Sequence, residues 1–250
     1  MDRDNFYALI IGTEILNGRR EDSHFPFLRK ILKNRGLKFA GSFIIEDNPA
    51  VIASTISYIS TLPNSVLFSF GGIGSTPDDY TREAAAKALS DGKLYTNEKF
   101  KAKIEERIKD SQNKHPLKMA ELPKGAELIP NKINGMYGFG LDKRFFFLPG
   151  FPEMSHPMVE YILDKYFSDK GQKEYRLTFT ALCKENEFIE LMQNAPEGIE
   201  VSSLPKLYSD GWRTTISIAS LDESLAKKEF EKYIEFLKSK NINYAIGEGE

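Results

Sequence analysis

The sequence lacks most of the features that mark secreted, membrane-spanning and nucleic-acid-binding proteins. Its one cysteine, Cys183, excludes an internal disulfide, and no apolar run approaches the roughly 20 residues that a membrane helix needs. The formal net charge is −2 and the pI is about 6.1, so the chain has no excess of positive charge to attract nucleic acid or an anionic membrane. We therefore expect a cytoplasmic protein with neither a nucleic-acid nor a membrane partner.

Two regions of different pattern follow one another along the chain. Residues 1–168 alternate short apolar runs with amphipathic stretches, which is typical of an α/β domain built on a parallel sheet. A polar segment that contains glycine then leads into residues 171–250, whose order of strand, helix, strand, strand and helix predicts a small α+β domain. A chain of 250 residues is long enough for one domain of each size.

The most informative stretch is a glycine loop between an apolar run and a helix-forming segment. Residues 65–70 are interpreted as a buried strand, glycines stand at 71, 72 and 74, and alanine-rich sequence begins at Ala84. Glycine tolerates positive φ and leaves the backbone bare, so the amide N–H groups from Ile73 to Thr76 could converge on an anion. The loop has neither the lysine of a P-loop nor the third glycine of the dinucleotide-binding fingerprint.

Thr76, Pro77 and the acids Asp78 and Asp79 complete this loop and allow two interpretations. In the first, Thr76 is the N-cap of the next helix, Pro77 is its first residue, and the two acids serve the cap and the helix dipole. In the second, two carboxylates beside an anion-binding loop need a divalent cation to join them to phosphates. The residues alone leave both interpretations open.

Three further segments follow predicted strands and should reach the same edge of the sheet. Glu14 follows the strand predicted over residues 6–11, Asp47 follows that over 37–45, and a stiff loop that begins at Pro149 follows that over 144–148. In a doubly wound sheet, the loops at the carboxyl ends of the strands gather at one crevice. Alternatively, Glu14 is a solvated loop acid and Asp47 a neighbour of a helix cap. The glycine-rich segment 134–140 is interpreted as a turn or hairpin rather than a site.

Four motifs occur together in the order that characterises a known family. They are Gly12-x-Glu14-Ile15-Leu16-x-Gly18, Asp47-Asn48-Pro49, Gly71-Gly72-Ile73-Gly74-x-Thr76-Pro77-Asp78-Asp79-x-Thr81-x-Glu83-Ala84, and Leu148-Pro149-Gly150-Phe151-Pro152-Glu153-Met154. Through about residue 167 the chain resembles the molybdopterin-binding domain of the competence/damage-inducible CinA family. The same domain type occurs in MogA and MoaB and in eukaryotic FAD synthetase. The resemblance implies a three-layer α/β domain of MogA type with a parallel-type sheet, followed by a small α+β domain of the CinA and FAD synthetase type.

The resemblance also implies which residues form a site. Asp47, Asp78 and Asp79 are the implied catalytic residues, and Asp47 and Asp79 are also the implied metal ligands. The implied pterin- or nucleotide-binding residues are Gly12, Glu14, Gly18, Gly71, Gly72, Ile73, Gly74, Ser75, Thr76, Thr81, Pro149, Gly150, Pro152 and Glu153. The chain departs from the family pattern at Thr13, Ser75, His24 and the pair Met136-Tyr137, which bears on the ligand more than on the fold.

Two classes of function fit this site. In the first, a divalent metal such as Mg, Mn or Co bridges the acids to phosphates, and the loop amides stabilise charge during attack at a phosphoanhydride. The resemblance implies either adenylyl transfer to molybdopterin or a pyrophosphatase acting on FAD or ADP-ribose. In the second, the chain is a non-catalytic module that binds a pterin or an adenine nucleotide. The resemblance further implies a homo-oligomer, either a dimer or a trimer.

Overall fold

The computed structural model describes residues 3–109 and 114–247. The chain divides after Gly171 into two compact units, which are described separately. No helix within the described residues combines the length and the apolar character needed to cross a membrane.

The first unit alternates strands and helices along most of its length. A helix of the 3-10 type covers His115–Ala120. The remaining elements are β1 (Asn5–Ile11), α1 (Thr13–Leu16), α2 (His24–Asn34), β2 (Lys38–Ile45), α3 (Pro49–Thr61), β3 (Ser65–Phe70), α4 (Thr81–Leu89), β4 (Leu94–Thr96), α5 (Glu98–Arg107), β5 (Glu121–Pro123), β6 (Glu127–Pro130), β7 (Tyr137–Leu141), β8 (Phe145–Leu148) and α6 (Pro152–Tyr166).

A six-stranded sheet in the order β2-β1-β3-β8-β7-β6 forms the centre of this unit. Strands β2, β1, β3 and β8 run parallel, whereas β7 and β6 complete one edge in antiparallel fashion. Every residue of β3 and β8 is buried, as expected of strands covered on both faces. The predicted α/β class is confirmed, with a sheet that is mostly parallel.

Helices cover both faces of the sheet and produce the three layers. On one face, Leu28 and Leu32 of α2 and Ile162 of α6 pack against the β-strands around Phe68. On the other face, helices α3, α4 and α5 contribute Ile52, Ile56, Ala85, Phe100 and Ile104 to a second cluster. Because both clusters consist of closely packed buried apolar side chains, they hold the parallel strands in fixed positions.

The first unit differs from the sequence-based expectation beside the glycine loop. Helix α4 begins at Thr81 rather than after Thr76, and Tyr80 occupies the N-cap position. The prediction of Thr76 as N-cap and of Pro77 as the first helical residue was therefore wrong. The cause is a tertiary contact, since the Thr81 amide donates to the Gly72 carbonyl oxygen at 2.9 Å instead of to a helical partner.

The glycine-rich segment 134–140, interpreted as a turn or hairpin, contains the end of the turn between β6 and β7 and most of strand β7, which pairs with β6 in antiparallel fashion. One other local prediction changed, since the segment between Gly12 and Gly18 contains the one-turn helix α1. By contrast, the Asn48 side chain caps α3 as its type suggests, by accepting from the amides of Ala50 and Val51.

The second unit is a small antiparallel sheet with helices on one face. Its strands lie in the order β10-β11-β9-β12, and Phe179, Phe188 and Tyr233 are fully buried in its core. The order of the predicted elements is confirmed, with one addition, since the short final strand is absent from the sequence-based expectation. The elements are β9 (Tyr175–Ala181), a 3-10 helix (Glu185–Phe188), α7 (Ile189–Gln193), β10 (Glu200–Tyr208), β11 (Gly211–Ser220), α8 (Glu223–Ser239) and β12 (Tyr244–Ile246).

Candidate functional site

A cavity of about 620 Å³ opens at the carboxyl ends of the parallel strands. This is the edge at which ligands bind in open α/β sheets. Of the residues singled out from the sequence, the lining contains Glu14, Asp47, Gly71, Gly72, Ile73, Gly74, Ser75, Thr76, Asp78, Asp79, Pro149 and Gly150. Gly12, Gly18, Thr81, Pro152 and Glu153 do not line it. The structure thus brings the acids, the glycine loop and the start of the Pro149 segment to one cavity.

The glycine loop requires glycine at its first two positions. Gly71 and Gly72 have φ values of +99° and +67°, in the region that residues with a side chain rarely adopt. A Cβ atom on Gly71 would lie 2.5 Å from the Ile11 carbonyl oxygen. The buried Thr81 hydroxyl donates to the Gly71 carbonyl oxygen at 3.0 Å. Thr81 therefore fixes the position of the loop through this hydrogen bond, although it does not line the cavity.

The Asp79 carboxylate lies against the amide side of the loop. It accepts hydrogen bonds from the Gly74 amide at 2.9 Å, the Thr76 amide at 2.7 Å and the Thr76 hydroxyl at 2.5 Å. Two of the amides expected to bind a ligand anion thus already bind an anion of the chain itself. The amides of Ile73 and Ser75 donate to no described residue.

Arg82 holds the carbonyl side of the same loop. Its guanidinium is buried and donates to the carbonyl oxygens of Ile73 and Gly74. Burial lowers the pKa of this guanidinium, and the charges of Glu83 and Asp79 oppose that shift. A positive charge consequently lies in contact with the loop, where it offsets part of the charge of Asp79.

Asp78 and Asp47 occupy different surroundings. Asp78 is exposed, and the nearby Thr76 side chain, followed by its own backbone amide, lowers the pKa of its carboxyl group, so it is ionised at neutral pH. Asp47 accepts from the Thr13 amide at 2.8 Å and from the Thr13 hydroxyl at 2.9 Å, both through Oδ2. Asp47 therefore binds the first residue of the one-turn helix α1, and it also directly precedes Asn48, the N-cap of α3.

The predicted metal ligands do not form a ready-made metal site. Within residues 3–109 and 114–247, no group of three or more His, Cys, Asp or Glu side chains is placed to hold a metal ion. Both oxygens of Asp79 already accept hydrogen bonds from the loop. Structural and catalytic metals bound by protein alone normally have at least three such ligands. The residues present do not fit a metal held by the chain alone.

Several polar residues of the cavity wall were not predicted as site residues. They include Arg20, Glu21, Asp22, Ser23, His24, Arg107, Asn131 and Asn134. Arg20 lies 3.9 Å from Glu14, and Arg107 donates to the Asn134 carbonyl oxygen at 2.8 Å. Sequence reasoning noted His24 only as a departure from a family pattern, and it interpreted the segment beginning at Asn134 as a turn. The position of the β6–β7 loop beside the parallel strand ends is what places the asparagines in the cavity.

His24 is the most perturbed of these residues. Its ring is buried and stacks on Phe70 with the ring centroids 4.2 Å apart. Burial, followed by the charge of His156, lowers the pKa of His24 to about 4. His24 is therefore neutral at pH 7 and contributes no positive charge to the cavity.

Comparison with known proteins assigns the first unit to a family. Residues 7–168 match the family described as "Probable molybdopterin binding domain". The chain belongs to this family. This match covers the elements that carry the cavity and confirms the resemblance stated from the four motifs.

Individual relatives of this family cover different lengths. The chain is 31% identical to Protein PF0476 of Pyrococcus furiosus, over 96% of this chain and 98% of that protein. It is 29% identical to a CinA-like protein of Thermotoga neapolitana, over 93% of this chain but only 59% of that protein. The chain thus spans about three fifths of the CinA-like relative.

A solved structure shares the fold. The crystal structure of the protein CinA from Thermoplasma acidophilum, described as of unknown function, superposes with a TM-score of 0.60 and 24% identity. The superposition covers 66% of this chain and 99% of that one. At this identity the comparison supports the fold alone.

Proposed function

We propose that the first unit binds a phosphate-bearing pterin of the molybdopterin class, or an adenine nucleotide, in the cavity at the strand ends. One observation carries this proposal. A glycine loop lines a cavity of about 620 Å³ at the carboxyl ends of the parallel strands. This volume lies within the range of small-molecule sites, roughly 300 to 1,000 Å³. Membership of the molybdopterin-binding family supports a pterin as ligand.

The cavity supplies groups that suit an anion next to a flat ring. The unengaged amides of Ile73 and Ser75 lie on the glycine loop, and the cations Arg20 and Arg107 lie on the wall. Arginine binds phosphate oxygens in a planar fork, so each of these side chains suits a phosphate group. Apolar lining from Ile104 and Met119 suits the ring.

Cleavage or transfer at a phosphoanhydride is the second candidate function. It is favoured by the acids Glu14, Asp47, Asp78 and Asp79, which line the same cavity as the glycine loop. Carboxylates repel a phosphate unless a cation lies between them, and Mg²⁺ commonly binds one or two carboxylates together with substrate phosphates. Since the chain alone does not assemble a metal site, Mg, Mn or Co would have to enter together with the ligand. Adenylylation of molybdopterin and hydrolysis of FAD or ADP-ribose both belong to this class.

Calorimetric titration of the purified chain with molybdopterin, AMP, ADP-ribose and FAD tests the first candidate. Arg20→Ala should weaken binding of any phosphate-bearing ligand about tenfold, because one charge-assisted contact is lost. Arg19→Ala is the matched control, since Arg19 is the exposed neighbour outside the cavity. Equal affinities in the two variants would show that ligand binds elsewhere.

Product analysis tests the second candidate. The same ligands, with ATP added for molybdopterin, are incubated with Mg, Mn or Co and with EDTA. Release of AMP or formation of adenylylated pterin that EDTA abolishes would establish an enzyme. Binding without turnover under every condition would leave a binding module.

Family resemblance also supports a cytoplasmic homo-oligomer, a dimer or a trimer, as part of this proposal. Sedimentation equilibrium distinguishes the two states. A monomer at micromolar concentration would contradict the proposal.

A further inference from the structure

Asn131 combines deep burial with a position on the cavity wall. The residue is only 5% exposed, and it lines the cavity from the loop between β6 and β7. A buried carboxamide normally uses both its oxygen and its amino group in hydrogen bonds, since an unpaired buried polar group costs free energy. The partners of Asn131 therefore indicate what this part of the wall is able to recognise.

The two ends of the Asn131 side chain differ in their bonding. Its Oδ1 accepts from the Ile133 amide at 2.9 Å. An amide N–H cannot be accepted by an amino group, so this bond fixes which end of the carboxamide is the oxygen. The Nδ2 amino group donates to no described residue. The backbone of Asn131 is also held, because its carbonyl oxygen accepts from the Gly135 amide at 3.0 Å.

We propose that Asn131 is a specificity residue whose Nδ2 donates a hydrogen bond to an acceptor edge of the ligand's heterocycle. This inference rests on the proposed binding of a pterin or nucleotide in the cavity. With Oδ1 engaged by Ile133, the side chain offers a donor to the cavity, so it favours a ring edge that carries a carbonyl oxygen. A ring that places an amino group at the same point sets a donor against a donor.

This donor discriminates between two kinds of heterocycle. Guanine presents O6 and N7 as adjacent acceptors, whereas adenine replaces O6 with the N6 amino group. A pterin carries the same 2-amino-4-oxo ring as guanine, and 2,4-diaminopteridine carries an amino group in place of the oxo group. We therefore expect oxo rings to bind more tightly than amino rings, by about three- to tenfold for one hydrogen bond.

Asn134 provides a matched control within the same loop. Its Oδ1 also accepts from a backbone amide, that of Met136 at 2.9 Å. Its Nδ2, however, donates to the Met154 sulfur at 3.2 Å, so this amino group is already engaged. Replacing either asparagine with aspartate adds one negative charge to the same loop and retains the acceptor oxygen.

The experiment measures ratios of affinity within matched ligand pairs. GMP and AMP form one pair, pterin and 2,4-diaminopteridine form the other, and pyrophosphate serves as a probe without a ring. Wild type and Asn134→Asp should prefer the oxo member three- to tenfold, and Asn131→Asp should lose or reverse that preference. The ratio cancels the general effect of the added charge on an anionic ligand.

Each outcome bears on a definite claim. A wild-type ratio near one, or a ratio that Asn131→Asp leaves unchanged, overturns the role of Asn131 while the proposed binding function stands. Binding of pyrophosphate with neither ring pair overturns it as well, because no heterocycle is then recognised. If no pterin, nucleotide or pyrophosphate binds, the proposed function fails together with this inference.

Discussion

Replacing Gly72 with alanine should destabilise the first unit by about 3 kcal/mol. Gly72 has a φ of +67°, and holding a residue with a side chain in that region costs about 1 kcal/mol. The new Cβ would also collide with the hydroxyl of the buried Thr81, which donates to the Gly71 carbonyl oxygen at 3.0 Å. Moving that hydroxyl leaves buried polar groups unpaired, which costs about 1 to 3 kcal/mol more.

Gly92→Ala is the control that separates these two contributions. Gly92 has a similar φ of +78°, but a Cβ atom there would meet nothing within 4 Å. It therefore incurs only the backbone cost, about 1 kcal/mol. Chemical denaturation followed by circular dichroism yields both free energies of unfolding. Equal losses in the two variants would refute the proposed role of the Thr81 contact in shaping the loop.

Three other perturbations have defined expected results. Asp79→Ala should lower the free energy of unfolding by about 2 kcal/mol, and Asp79→Asn by about 1 kcal/mol, because asparagine keeps one acceptor oxygen for the loop amides. Calorimetry that finds the two variants as stable as the wild type would contradict the contacts between Asp79 and the loop. Burial lowers the pKa of His24 to about 4, so the unfolded chain takes up a proton below about 6.5 before the folded one does. The free energy of unfolding should therefore fall by about 2 kcal/mol between pH 7 and pH 5 because of His24. In His24→Asn this contribution is absent, so chemical denaturation at a series of pH values should show a fall about 2 kcal/mol smaller than in the wild type. Burial, followed by the charge of Glu187, raises the pKa of the Cys183 thiol to about 11. At pH 8, iodoacetamide should therefore modify Cys183 about a hundredfold more slowly than a free thiol with a pKa near 9. Mass spectrometry measures this rate.

The sequence was most informative where short-range rules decide the structure. Apolar runs located the parallel strands, since strands covered on both faces are apolar throughout. Asn48 caps α3 as local rules predict for an asparagine before a proline, because its side chain reaches amides only two and three residues away. The strand ends in turn indicated that Glu14, Asp47 and the glycine loop face one edge, and all three line the cavity.

The start of α4 could not be obtained in this way. The order Thr76, Pro77 and two acids fits a helix N-terminus by local rules alone. In the folded chain, Asp79 instead accepts from the amides of Gly74 and Thr76, and Arg82 binds carbonyl groups of the same loop. The contact between Asp79 and the Thr76 amide is local, whereas the Arg82 contacts and the bond from the Thr81 amide to the Gly72 carbonyl oxygen span eight or nine residues, which no local pattern records.

The part of the cavity wall that the β6–β7 loop forms could not be predicted from the sequence either. Asn131 and Asn134 reach it because β7 and β6 add to the sheet in antiparallel fashion next to β8. The turn between those two strands then lies beside the carboxyl ends of the parallel strands. Hydrophobic periodicity identifies strands but not the order in which they pair. Glycine-rich sequence near Asn134 thus favoured a turn, which is correct, without indicating that the turn faces a cavity.

The hydrogen bonds of Asp79 determine how a loss of turnover should be interpreted. Asp79→Asn removes a possible metal ligand and weakens the loop at once, so inactivity in that variant would not identify a metal ligand.

Asp47 separates the two effects, because only its Oδ2 accepts from Thr13, while Oδ1 accepts from no described residue. Asp47→Asn should keep the contact with the Thr13 amide and change stability by less than about 1 kcal/mol. If the cavity cleaves phosphoanhydrides, turnover should still fall at least a hundredfold in that variant, since a lost carboxylate charge acts on the transition state. Turnover that persists in Asp47→Asn would mean that this carboxylate serves only the fold of α1.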